Sequence, residues 1–234
     1  MPEANGAPTL LRAQALVGAA AMARMRAARV LVVGLGAVGG ACVEALARSG
    51  VGQLYLVDDD CFEASNLNRQ PFSSLTTIGC EKTFATQTRL AEIAPTCAVA
   101  VRTLRVTAEQ VDELLAWAAP VAVVDAIDDV AAKVALLEAC VRRGVPAWSA
   151  MGAARKFDPA QLQVTDLAKS QVCPLARAVR QGLRKRGITR GIRCVWSTEP
   201  PAPLGEGQTL GSWMPVTAAA GLFLAADVLQ ALRG

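Results

Sequence analysis

Several charged residues stand at spacings that suit a phosphate-bearing substrate. Arg69 and Lys82 follow a predicted strand that ends at Asp58, and Asp128 follows a later one. Each cation offsets phosphate charge, and arginine offers planar, bidentate donors. A carboxylate beside phosphates is suited to Mg²⁺. A hydride-transfer enzyme has no need of such cations, so these residues favour a triphosphate substrate.

The composition excludes several kinds of catalysis. No histidine occurs among the 234 residues, which excludes a Ser-His-Asp triad, a Cys-His pair and histidine metal sites. Seven widely spaced cysteines contain no CxxC pair, and their odd number is typical of free thiols. We therefore expect a reducing, cytoplasmic location. Chemistry that needs little proton transfer, such as attack on an activated phosphate, remains.

A glycine-rich turn predicts nucleotide binding. Gly34, Gly36 and Gly39 form a GxGxxG motif between a short apolar run and a helical segment. Such glycines allow a tight turn and a close approach of phosphate to helix amides. Asp58 stands 19 residues after Gly39, where its carboxylate can accept from ribose hydroxyls. This pair of features alone suits NAD and ATP equally.

The elements that position these residues alternate between strands and helices. This rhythm predicts an α/β, Rossmann-like, mostly parallel sheet with an N-terminal helical arm and an extended C-terminal region. We expect an arm over residues 1–28, an ATP-binding portion over 29–150 and a substrate and dimerisation portion over 151–234. The apolar segment from Trp213 to Leu232 contains Asp227 and Gln230, which favours a buried helix over a membrane span.

The motifs GLGAVG, LVDDD, SNLNRQ, GCEK and DAID occur in this order over about residues 11–150. Together they resemble the ubiquitin-activating-enzyme-like adenylyltransferases, which use ATP and Mg²⁺ to activate a carboxylate. The resemblance implies that Asp58 contacts the ribose. Asn66, Arg69 and Lys82 would contact the phosphates or the reacting centre, and Asp128 would support Mg²⁺.

The N-terminal segment LRAQALVG resembles a looser motif of the same family. The resemblance implies a homodimer in which Arg12 reaches the ATP of the other protomer. A sulfur-transfer protein would be a further partner in some members, and nothing in the sequence indicates DNA.

The region from Asp158 to Pro200 distinguishes branches of the family. It resembles the tRNA threonylcarbamoyladenosine dehydratase branch, whereas the two CxxC pairs of the sulfur-carrier-activating branch are absent. The resemblance implies a tRNA substrate with a modified adenosine in its anticodon loop. It also implies adenylation of the threonyl carboxylate of that adenosine, followed by cyclisation. Two alternatives remain: an adenylyltransferase for a ubiquitin-like sulfur carrier, and an inactive scaffold subunit with an ATP fold.

A basic segment predicts where tRNA binds. Seven cations and no acid occur between Pro174 and Arg193, and without them the net charge of +4 would become −3. Such a cluster attracts a phosphate backbone. The expected tRNA-binding residues are Arg177, Arg180, Arg184, Lys185 and Arg186. Trp148, Trp196 and Trp213 are candidate stacking groups, with core packing as the alternative for each.

Overall fold

The computed structural model describes residues 8–205, 207 and 209–234. Residues 1–7 of the predicted arm therefore lie outside the described residues. The strands are β1 (Arg29–Val33), β2 (Gln53–Asp58), β3 (Ala98–Thr103), β4 (Ala122–Asp125), β5 (Ala147–Ala150), β6 (Leu162–Asp166) and β7 (Arg193–Ser197). The helices are α1 (Leu11–Val17), α2 (Ala19–Ala27), α3 (Ala37–Arg48), α4 (Lys82–Ile93), α5 (Val111–Ala118), α6 (Val130–Arg143), α7 (Pro174–Arg184) and α8 (Met214–Arg233).

The seven strands form one sheet in the order β3-β2-β1-β4-β5-β7-β6. Six of them are parallel, and β6 pairs antiparallel with β7. The predicted α/β, mostly parallel fold is confirmed. The strand order reverses between β1 and β4. Ligands of open α/β sheets bind at such a reversal, beyond the carboxyl ends of the strands.

Strand β1 shows why these short apolar runs form the centre of the sheet. Val30 and Val32 belong to the apolar core on one face, and Leu31 and Val33 to the core on the other. A strand covered on both faces needs apolar side chains at every position, because successive residues point in opposite directions. The continuous apolar sequence is therefore a direct consequence of this two-sided burial.

The N-terminal arm, expected to be helical within residues 1–28, is divided into two helices. Helix α1 ends at Val17, and α2 begins at Ala19. Gly18 separates them with φ +83° and ψ 160°, a conformation that leaves the helix and that L side chains rarely adopt. Beyond the break, α2 packs against α8, and α1 packs against α2.

Helix α8 packs against α3 along much of its length. A Cβ atom added at Gly221 would lie 2.3 Å from the carbonyl oxygen of Val38, so the two helices approach closely. Among the described residues, α8 is the one helix with the length and apolar composition to cross a membrane. Its contacts with α3 and with the sheet are those of a core helix.

Candidate active site

A cleft of about 840 Å³ opens at the carboxyl ends of β1, β2 and β4. Eight of the residues predicted to bind ATP or metal line this cleft: Gly34, Gly36, Gly39, Asp58, Asn66, Arg69, Lys82 and Asp128. They come from four separate segments of the chain. The fold therefore brings together the residues that sequence motifs alone had grouped.

The three glycines of the turn differ in what fixes them. Gly34 has φ +93°, and an added Cβ atom would lie 2.6 Å from the carbonyl oxygen of Ala126. At Gly39 an added Cβ atom would lie 1.9 Å from the carbonyl oxygen of Gly34. At Gly36 the nearest atom is the Gln70 side-chain nitrogen, 3.9 Å away. The fold thus requires Gly34 and Gly39, while Gly36 leaves space on the side of the cleft.

Helix α3 begins directly after Gly36, as expected for a glycine turn that leads into a helix. Among the described residues, no side chain caps this helix end. The first amides of a helix have no partner within the helix and carry partial positive charge. The first turn of α3 therefore offers backbone donors for an anion at the cleft.

Asp58 ties the end of β2 to the glycine turn. One carboxylate oxygen accepts from the Leu35 amide at 2.6 Å, and the other accepts from the Asp60 amide at 2.9 Å. Burial raises the pKa of Asp58, against the lowering effects of the Leu35 amide and Lys82. The predicted ribose ligand thus also caps a loop, and each oxygen keeps a second lone pair for another donor.

Lys82 projects its ammonium group among acids at the end of β2. Lys82 is only 5% exposed. Its Nζ atom lies 2.8 Å from a carboxylate oxygen of Asp60 and 4.0 Å from one of Asp58. Carboxylate oxygens of Asp58, Asp59 and Asp60 all lie within 4.8 Å of one another. The ion pair holds Lys82 in the cleft and offsets part of this negative charge.

The loop after β2 is organised by its own amide side chains. Asn66 accepts from the Glu63 amide at 3.1 Å, in a reciprocal cap of a short 3₁₀ turn. Arg69 donates to the Ser65 carbonyl at 2.8 Å and to the Asn68 side chain at 2.9 Å. Gln70 is buried, and its side-chain oxygen has no hydrogen-bond partner in the described part of the chain. Asn66 therefore has a local structural role besides the predicted one.

Asp128 lines the cleft with an exposed carboxylate that makes no hydrogen bond or ion pair to any described residue. The loop that carries it begins at Asp125, which is fully buried. Asp125 accepts from the Ile127 amide at 3.1 Å and thereby bends the loop toward the cleft. The carboxylate of Asp128 is consequently held at the cleft by the backbone and is open to a cation.

Lys133 is a buried cation that sequence reasoning missed. Its ammonium group donates to Asp125 at 2.8 Å, to Ser149 at 3.1 Å and to the Ala150 carbonyl at 3.0 Å. Ser149 also donates to Asp125 at 2.6 Å. A lysine three residues into a predicted helix reads as solvated, and only the pairing of β4 with β5 brings its partners together.

The cleft lining includes two more cations that sequence reasoning missed. Arg155 has φ +58°, and its side chain donates to the Ala202 carbonyl at 2.9 Å. Lys156 is buried and donates to the Glu199 carbonyl, and burial lowers its pKa. The left-handed backbone of Arg155 is uncommon for a residue other than glycine, but no sequence pattern identifies it.

Arg12 does not reach the cleft of its own chain. It is exposed on α1 and is absent from the cleft lining. Its predicted contact with the ATP of a second protomer is not tested by a single chain.

The basic segment has more internal partners than its sequence indicates. Arg180 donates to the Ser170 carbonyl at 2.8 Å, and Arg186 forms an ion pair with Glu138 at 2.6 Å. Both partners lie outside the segment. Arg177, Arg184 and Lys185 are exposed, with no ion pair to any described residue. Of the predicted tRNA-binding residues Arg177, Arg180 and Arg184, only the first and the last extend into solvent, because Arg180 turns toward the protein.

The three candidate stacking tryptophans differ in their exposure to solvent. Trp148 and Trp196 are buried, and their ring nitrogens donate to Asp227 at 2.7 Å and to Thr165 at 2.9 Å. Trp213 is 45% exposed. Core packing thus accounts for two of them, and only Trp213 is available at the surface.

The fold and the cleft define a nucleotide-binding α/β protein, and comparison with known proteins identifies its class. The chain belongs to the ThiF family, whose model matches residues 10–234. The predicted family membership is confirmed.

Within that family the chain is similar to known dehydratases. The tRNA threonylcarbamoyladenosine dehydratase of Bacillus subtilis (strain 168) is 36% identical over 83% of this chain and 76% of its own length. The crystal structure of E. coli tRNA N6-threonylcarbamoyladenosine dehydratase, TcdA, in complex with AMP has a TM-score of 0.91 and 34% identity, covering 96% of this chain and 94% of that one. The TcdA complex with ATP has a TM-score of 0.90 and 34% identity over 96% and 93% of the two chains.

Proposed function

We propose that this chain is an ATP-dependent tRNA threonylcarbamoyladenosine dehydratase. The observation that carries this proposal is that one cleft gathers eight of the nine residues predicted to contact ATP or metal, all but Arg12. The chain also matches a dehydratase over nearly its whole length. In the proposed arrangement, residues 29–150 bind ATP, and residues 151–234 bind the substrate and a second protomer. The location that fits a tRNA substrate and free thiols is the cytoplasm.

The reaction has two steps. The threonyl carboxylate of the modified adenosine attacks the α-phosphorus of ATP, and pyrophosphate leaves. The carbamoyl group of the same substituent then attacks the acyl-adenylate and expels AMP, which closes a ring. The oxygen lost by the substrate leaves in AMP, so the nucleoside loses the elements of one water molecule. The second step is intramolecular, which removes most of its entropic cost.

Each cleft residue has a role that follows from its charge or its hydrogen-bonding groups. Lys82 and Arg69 stabilise the phosphate charge that develops as pyrophosphate leaves. The first turn of α3 binds phosphate through its amides, with Gly36 leaving space for it. Asp58 accepts from the ribose, and Asn66 contacts the phosphates with the side-chain groups that its own turn leaves available. Arg12 of a second protomer adds a further cation in a homodimer.

Asp128 is the residue that would hold Mg²⁺. Its carboxylate is exposed in the cleft without a protein partner, whereas Asp58 and Asp60 are engaged by amides or by Lys82. Mg²⁺ accepts one or two protein carboxylates and takes its other ligands from phosphates and water, so this donor set fits the ion. When bound, Mg²⁺ supplies positive charge beside the phosphates.

The tRNA contacts the exposed cations of the basic segment. Arg177, Arg184 and Lys185 have no ion pair within the described part of the chain, so their charges are available to phosphate. Arg180 and Arg186 contribute less, because each already has a protein partner.

Pyrophosphate exchange tests the function against the carrier-protein alternative. The enzyme is given ATP, Mg²⁺ and either threonylcarbamoyladenosine-containing tRNA or a ubiquitin-like sulfur carrier. We expect exchange with the tRNA only. Exchange with the carrier protein alone would establish the alternative, in which a sulfur-transfer protein is a partner. Exchange with neither would favour the scaffold subunit.

A further inference from the structure

An exposed aromatic pair stands at the rim of the cleft. The rings of Phe157 and Trp213 meet edge to face, with centroids 6.1 Å apart and planes at 69°. Phe157 is 63% exposed and Trp213 is 45% exposed. The chain has few aromatic residues, and most of the others pack in the interior or against neighbours. Two large rings presented together to solvent therefore require an explanation other than core packing.

Polar contacts fix both rings from their backbones. The amides of Phe157 and Asp158 each donate to the Glu199 carboxylate at 3.0 Å. On the other side, Thr217 donates to the Trp213 carbonyl at 3.2 Å and anchors it to the start of α8. The segments that bear the rings are held in place while both aromatic residues remain exposed. Such preorganisation lowers the entropic cost of binding a flat ligand.

The pair is continuous with the ATP cleft through its neighbours in the chain. Lys156 and Ser212, which precede the two aromatic residues, both line the cleft. The Ser212 carbonyl accepts from the side chain of Asn68 at 2.9 Å, and Asn68 also contacts Arg69. The rings thus adjoin the part of the cleft lining that includes Arg155 and Lys156. If one part of a ligand stacked on these two rings, the adjacent part of the same ligand would lie at the cleft.

We infer that Phe157 and Trp213 form a stacking site for an unpaired RNA base next to the nucleoside that reacts. The inference rests on the proposed function and deepens it by locating the substrate. Single-stranded RNA is recognised by stacking splayed bases on aromatic side chains, and every base has a face to offer. The cations of the adjoining cleft lining supply charge complementary to the RNA backbone at the same place.

The test uses the full-length protein and an anticodon stem-loop RNA in which 2-aminopurine replaces the base beside the target adenosine. Stacking quenches 2-aminopurine fluorescence, so one titration gives both affinity and stacking. We expect Trp213→Ala to weaken binding by about tenfold, within the range for loss of one stacked base, and to abolish the quench. Trp213→Phe should restore most of both. Phe157→Ala should change both in the same direction by less.

The matched control is Phe223→Ala, which removes an exposed aromatic ring from α8 outside the cleft. It should leave RNA affinity and the quench unchanged, and all variants should keep the ATP affinity of the wild type. Light scattering measures the mass of each variant in parallel. A change of mass in Trp213→Ala would show that the rings contact a second copy of the chain, and would overturn the stacking site.

Different results would contradict the stacking site and the proposed function. If the wild type cyclises the modified tRNA but Trp213→Ala binds the stem-loop as tightly and quenches it as strongly, the stacking site is wrong and the function stands. If the wild type neither binds the stem-loop nor converts the tRNA, the proposed function fails, and the stacking site fails with it.

Discussion

The cleft and the basic segment both carry charge, but they hold it in opposite ways. In the cleft, Lys82 and Asp58 lie within short, largely buried networks. On the basic segment, Arg177, Arg184 and Lys185 extend into solvent without ion pairs in the described chain. Fixed, partly buried charges interact strongly and are weakly screened by salt, whereas exposed charges are screened within about 10 Å at 0.1 M salt. The two regions therefore differ in how rigidly their charges are held and in how strongly salt screens them.

The buried network beneath the cleft gives the largest expected effect. Lys133→Met would leave Asp125 buried without its partner, and breaking a buried ion pair in this way costs about 3–5 kcal/mol. The double variant Asp125→Asn/Lys133→Met removes both charges and should recover much of this loss. Urea denaturation measures the free energy of unfolding of each protein. A loss below about 1 kcal/mol in the single variant would show that Asp125 has other sufficient partners.

The glycine turn separates folding from binding within the cleft itself. Gly39→Ala forces a Cβ atom into contact with the Gly34 carbonyl and should destabilise the protein by about 1–3 kcal/mol. Gly36→Ala meets no protein atom closer than 3.9 Å and should fold normally.

For Gly36→Ala, the expected effect is on the affinity for ATP. Gly36→Ala should weaken ATP binding by about tenfold, or about 1.4 kcal/mol, because the methyl group occupies space on the side of the cleft. Isothermal titration with ATP measures it, and thermal melting measures both variants. Equal ATP affinity in Gly36→Ala and wild type would mean that phosphate does not approach this turn.

Asp128 tests whether the cleft has a residue that serves function alone. Asp128→Asn should change the free energy of unfolding by no more than about 0.5 kcal/mol, because the side chain has no partner in the described chain. It should nevertheless abolish measurable release of pyrophosphate. Denaturation and a pyrophosphate assay at saturating Mg²⁺ are read together. Wild-type turnover would show that another residue, such as one of Asp58–Asp60, holds the ion.

The basic segment should respond to salt where the cleft does not. Removing Arg177, Arg184 and Lys185 should flatten the slope of log affinity for tRNA against log salt by about two units, at about 0.7 per single-strand contact. The triple variant should bind ATP normally, because separate cations line the cleft. Arg89→Ala, an exposed arginine on α4, is the control and should leave the slope unchanged. A slope unchanged in the triple variant would mean that tRNA binds elsewhere.

The same contrast explains how much the sequence could predict. The glycine turn and Asp58 are local motifs of the α/β fold, so strand ends and spacing were enough to identify them. Lys133 needed the pairing of β4 with β5 to become a buried partner of Asp125. Likewise, Glu138 neutralises part of Arg186 from a helix more than forty residues away. Charges whose partners are distant in sequence have no local signature, and these account for what was missed.

Arg155 and Lys156 were missed for a related reason. They follow β5, where the alternation of strands and helices weakens, and their contacts come from the segment around Glu199 and Ala202. The basic segment, in contrast, was found by composition but read too simply, since composition does not reveal that Arg180 turns to Ser170. Composition predicts the presence of charge, and only the fold determines which charges are available.

Nucleoside mass after reaction tests the central claim most directly. Wild-type protein is incubated with ATP, Mg²⁺ and tRNA bearing threonylcarbamoyladenosine, and the tRNA is then digested to nucleosides for mass spectrometry under mild conditions. The account predicts a modified nucleoside lighter by one water molecule, with one AMP and one pyrophosphate formed for each. An unchanged nucleoside mass, with the protein folded and binding ATP, would contradict it.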